Sequence, residues 1–157
     1  MQAVDDPENP TQIAKAPGKL TERLRSFLQK NDQRTAGVPG LNILYEGMQA
    51  RVTEKLVTNK SIVILKITPC TVIGWTLHPA DAQSNGMSEK WLNYMPLCIY
   101  LKFPGATWTV DPRLGPGVWP LFPVYRTWEL SKTQGCKIKR RGFTLVADYA
   151  STAFMIQ

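Results

Sequence analysis

Histidine is almost missing from this chain: His78 is the only one, and it stands in no ligand pattern. A zinc centre built on histidine is therefore not expected. Cysteine is sparse as well. Cys70, Cys98 and Cys136 lie far apart, with no Cys-x-x-Cys pair. An odd count without paired spacing argues against a disulfide framework and for buried, reduced thiols in an intracellular protein, nuclear or cytoplasmic. No apolar run approaches the roughly 18 residues of a membrane span, so no membrane partner is expected. Residues 1–17 carry Asp5, Asp6, Glu8 and three prolines without an apolar core, and no secretory signal is read there.

A nucleotide-cradling loop is lacking too. Gly18-Lys19 invites the test, but the pattern needs Gly five residues before that pair and Ser or Thr straight after it. Ile13 and Leu20 occupy those positions. No ATPase activity of the chain by itself is expected, and no cofactor site is read in it. Paired carboxylates with a plausible partner are absent: Asp5 and Asp6 fall in the lead-in, and Glu46 and Glu54 beside strands. A Cys–His nucleophile would need one of the thiols beside His78, and Cys98 lies inside an apolar strand where a thiol is inert. The sequence offers no catalytic constellation. Asp148 reads as a helix N-cap and His78 as a turn residue before Pro79.

What is present is a basic chain of 157 residues with 19 Lys+Arg against 12 Asp+Glu, net +7, enough for one domain with a core. The charge favours an anionic partner without requiring one. Residues 1–17 read as an extended lead-in, since Pro7, Pro10 and Pro17 each disfavour helix before them. Residues 18–40 read as a helix and a loop. Leu20, Leu24, Phe27 and Leu28 form one helical stripe, opposite Lys19, Arg23, Arg25 and Lys30. That basic face is either solvated or turned to phosphates.

From Leu41 the period changes to two. Strands are expected in Gln49–Leu56, Ile62–Ile67, Cys70–Leu77, Leu97–Phe103, Val124–Leu130 and Lys137–Val146, with a short one at Thr107–Val110. Gly74 marks a bulge or bend. Pro79–Lys90 reads as a loop, and so does Asp111–Pro123, with its four prolines and two glycines. Short strands at this spacing suggest a small curled β-barrel over residues 41–148. Residues 149–157 start a helix, with Tyr149, Ala153 and Ile156 on one face, and the helix reads as truncated. The expected class is α+β, mainly β, with an N-terminal amphipathic helix and a truncated C-terminal one.

Two features suggest binding. Lys137, Lys139 and Arg141 alternate onto one strand face, with Ile138 and Arg140 on the other. Such a strand is either a solvated edge that resists aggregation or a phosphate track. Five tryptophans are many for this length. Trp119, in the Pro-rich loop, is the one expected to be exposed and able to stack a base.

The last stretch carries a resemblance. A strand, then a second apolar strand, then Tyr/Trp-Ala-x-Ser/Thr-x-His-Lys-Ser-Gln-Gly is a motif of the petite-integration-frequency and RecD-like group of superfamily-one DNA helicases. This chain resembles it at Arg141, Leu145, Val146, Tyr149, Ala150, Thr152 and Gln157, and departs from it at Phe154, Met155 and Ile156. In that family a Src-homology-3-like barrel interrupts the second motor domain just before this helix. Residues 44–53, Thr71-Val72-Ile73-Gly74-Trp75 and Ile99-Tyr100-Leu101-Lys102-Phe103 look like its strands, so the resemblance spans about residues 41–157.

The resemblance implies a nucleic-acid-binding fragment of an ATP-dependent helicase. Such a fragment holds or steers single-stranded DNA, while ATP and magnesium act in the remaining motor domains. It points to Lys137, Lys139, Arg140, Arg141 and Thr152 as strand contacts, with Trp119 as a stacking candidate. The competing expectation is a free-standing small-barrel module that binds a peptide or protein through the aromatic, Pro-rich loop.

Overall fold

The computed structural model describes residues 4–7, 30, 34–40, 42–58, 62–82, 92, 94–131 and 136–148. The expected helices over 18–30 and 149–157, including the predicted exposure of Ala153 and Ile156, lie outside the described residues.

The chain is mainly β. Its elements are β1 (Val4–Pro7), β2 (Gln49–Val52), β3 (Leu56–Val57), β4 (Val63–Ile64), β5 (Pro69–Thr76), α1 (Pro79–Ala82), β6 (Cys98–Lys102), β7 (Val118–Leu121), β8 (Val124–Ser131), β9 (Cys136–Gly142) and β10 (Leu145–Ala147). All pairings are antiparallel. A five-stranded sheet runs β10-β2-β5-β6-β7, a three-stranded sheet runs β1-β9-β8, and β3-β4 is a separate ribbon. Among the described residues no pairing joins β7 back to β10, so the larger sheet stays open.

The alternation that marks β2 in the sequence is the alternation of its burial. Ala50 and Val52 are buried while Gln49 is exposed, and Cys70 and Val72 of β5 follow the same rule. With Met48, Leu56, Ile64, Ile99, Leu101, Phe103, Leu121, Phe143 and Leu145 they make one apolar core. The expected irregularity near Gly74 is present, as a register shift between Val72 and Gly74 in the β5–β6 pairing.

Several expectations change. The expected strand Gln49–Leu56 ends at Val52, Ile62–Ile67 keeps only Val63–Ile64 as strand, and the expected loop from Pro79 opens with the helical turn Pro79–Ala82. Residues 118–121 are strand, not loop. Among the described residues β7 pairs only with β6, and Pro120, which has no N–H to donate, is tolerated on such an edge. The segment Thr107–Val110 forms no strand. The expected last strand is two strands, because Phe143 turns wholly into the core and Thr53 N donates to Thr144 O at 2.9 Å. The chain thus leaves the small sheet after β9 and joins the large one at β10, a corner of the kind that links two stacked sheets. Phe122-Pro123 makes the reverse crossing, from β7 to β8.

Residues 34–40 pack under the small sheet. Thr35, Val38 and Gly40 are buried, and Thr35 Oγ1 donates to Val38 O at 2.7 Å. Gly37 sits at φ 79°, in the left-handed region, and its carbonyl accepts from Thr53 Oγ1. No helix among the described residues is long and apolar enough to cross a membrane.

Candidate nucleic-acid interface

The small sheet has two unlike faces, and strand alternation makes them. In β9, Ile138 and Arg140 turn inward and are buried, while Lys137 and Lys139 are exposed and Arg141 is half-buried. In β8 the partners directly opposite follow suit. Tyr125 stands across from Arg141, Thr127 from Lys139 and Glu129 from Lys137, and all three β8 residues are exposed. Residues directly opposite in an antiparallel pair share a face. Three cations, a tyrosine, a threonine and one carboxylate therefore form a single outer surface.

Tyr125 is the centre of that surface. It is 57 % exposed, with Lys139 Nζ 5.1 Å and the Arg141 guanidinium carbon 5.7 Å from its ring centroid. Each cation–π contact of this exposed kind contributes about 0.5–1 kcal/mol, enough to orient the side chains without removing their charge. Arg141 Nε is buried and has no hydrogen-bond partner among the described residues.

The inner face carries the other arginines. Arg140 is fully buried. Its guanidinium carbon lies 5.5 Å from the Trp128 ring centroid, and Nη1 donates to Val38 O at 3.2 Å. Lys30 Nζ stands 5.7 Å from the same ring. Arg126, directly across from Arg140, forms an ion pair with Glu54 that offsets the repulsion between two facing guanidinium groups. Arg140 and Trp128 are thus interior, while the Arg126–Glu54 pair reaches the surface.

The six sequence-predicted residues therefore separate. Lys137, Lys139 and Arg141 are together on the outer face. Arg140 is corrected to an interior position, because its place in the alternation sends it under the sheet to Trp128 and Val38. Trp119 is corrected too. It lies in β7 of the other sheet, partly buried against the core, with its ring edge-on to Trp108 at 6.2 Å. The apolar body of the ring packs where Phe103 and Trp108 already gather. Thr152 lies outside the described residues. Tyr125 was missed, since only the β8–β9 register places it among the cations. The alternation of Tyr125, Thr127 and Glu129 with Trp128 was the one signal available.

Among the described residues the other titratable groups sit in structural contacts. Burial pushes the Cys70 thiol up to about 12, with the Asp148 carboxylate adding to it, and burial alone takes Cys98 to about 11. Asp148 receives Arg51 Nε at 2.5 Å. His78 Nδ1 accepts from Ala80 N at 3.2 Å, which ties it to the turn that opens α1, and its ring stacks on Tyr94 at 4.6 Å. Among the described residues no group of three or more His, Cys, Asp or Glu converges on a point where a metal would sit. No family model, no curated protein and no solved structure matches the chain.

Proposed function

We propose that this chain binds single-stranded nucleic acid across the outer face of the β1-β9-β8 sheet. Lys137, Lys139 and Arg141 take the phosphates, and Tyr125 offers its ring to a base. The observation that carries the reading is the exposed Tyr125 ring with two cations within 6 Å of its centroid, at the middle of a basic strand. A basic track with an aromatic platform is the general solution for binding a single strand without reading its sequence.

The helicase context rests on the sequence resemblance. In that reading the β domain is the small barrel inserted in the second motor lobe. It holds or steers single-stranded DNA while other domains hydrolyse ATP. The mainly β architecture agrees with this in class. The competing peptide-binding reading rested on Trp119, which is partly buried against the core.

The test is fluorescence anisotropy of a labelled oligothymidylate across a salt series. Three phosphate contacts predict a log–log slope of about −2, from about 0.7 per contact on single strands. Tyr125→Ala should weaken binding by about 1–3 kcal/mol with little change of slope. Lys139→Ala should lower the slope by about 0.7. Absence of binding at low salt, or binding indifferent to both substitutions, would overturn the proposal.

A further inference from the structure

We infer that β1 is a built-in competitor for the basic face, an acidic strand from the chain's own amino-terminal segment that a nucleic acid must displace or outcompete. The inference rests on the binding reading above. β1 pairs along β9 with Asp6 directly across from Lys139, Asp5 across from Arg140 and Val4 across from Arg141. The Asp6 position therefore falls in the same cross-strand row as Lys139 and Thr127. Asp5 and Asp6 thus put two acidic residues on a strand that runs along the basic β9.

The strand is also made to let go. Among the described residues it is four residues long and pairs with one neighbour, β9. Pro7, across from Ile138, has no N–H to donate to the ladder. A short edge strand held on one side opens at low free energy, which is what a displaceable cover needs. Phosphates would replace β1 along Lys139 and Arg141.

The experiment is oligothymidylate binding by the wild-type chain and by Asp6→Asn. A control, Glu46→Gln, makes the same change of net charge in a segment that does not pair with β9. At low salt the β1 variant should bind about two- to five-fold tighter, as expected for one exposed ion pair, and the gain should shrink as salt rises. The control should gain distinctly less. Hydrogen exchange gives a second readout: the β1 amides should exchange faster in the oligonucleotide complex than in the free protein. If the wild-type chain binds, and the β1 variant gains no more than the control while β1 stays protected in the complex, the cover is refuted and the binding site stands. If neither protein binds, both proposals fall together.

Discussion

Replacing Arg140 separates the interior role described above from a role in phosphate binding. The side chain is fully buried, donates to Val38 O and lies against Trp128. A hydrogen bond from a charged group contributes about 1.5–3 kcal/mol, and a desolvated cation–π contact about 2 kcal/mol. Against these stands the desolvation of a buried guanidinium, several kcal/mol, which the substitution relieves. Arg140→Ala also leaves a void beneath β9 and removes one of the two donors to the Val38 carbonyl. We expect a net loss of about 2–4 kcal/mol. At about 2–4 °C per kcal/mol for a chain of this size, the melting temperature should fall by about 5–15 °C. Arg140→Met, which keeps the stem and drops the charge, should lose less. Thermal melts followed by circular dichroism read the stability, and the oligothymidylate salt series reads the slope. Below its melting range, Arg140→Ala should keep the wild-type slope. The interior assignment is refuted if Arg140→Ala melts like the wild type and its slope falls by about 0.7, the signature of one lost phosphate contact.

Further outcomes follow from other parts of the fold. Ile67, a β-branched residue at φ 72° and 56 % exposed, holds a strained backbone without burying its side chain, so Ile67→Gly should stabilise by about 1 kcal/mol, visible as a raised melting temperature. Gly37→Ala should destabilise by about 1–3 kcal/mol in a urea titration, because φ is 79° and the added carbon would stand 3.1 Å from Thr53 Oγ1. Cys70 and Cys98 should resist a thiol reagent at pH 8 until the protein is unfolded, since both are protonated and buried. Both thiols ionise at higher pH in the folded protein than in the unfolded chain, so they leave stability unchanged below about pH 9 and lower it as pH rises from there towards 12, which urea melts along that range would record.

Much of the β architecture could be read from the residues. Ala50 and Val52, Cys70 and Val72, and Ile138 and Arg140 alternate in sequence as they alternate in burial, and Gly74 falls at the bulge. What could not be read depends on pairing between distant segments. The acidic, proline-containing lead-in gives no sign that Val4–Pro7 will find β9. Strand periodicity separates Arg140 from Lys139 and Arg141, but only packing reveals that one side of the strand is an interior. Tyr125 becomes part of a site through its register with Arg141, a relation no local pattern encodes. Trp119 misled because prolines imply loops, whereas an edge strand accepts them.

The pairing of β1 with β9 also bears on how the molecule comes into being. The fourth residue meets residue 141, and β2 meets β10 near the same end of the chain. Neither sheet can be completed until the segment that carries β9 and β10 has been made. Closing such long loops before any reward is gained makes folding slow and exposes unpaired edges on the way. The segments from β2 to β7 can form their meander during synthesis, while the basic β9 meets an acidic strand made more than a hundred residues before it.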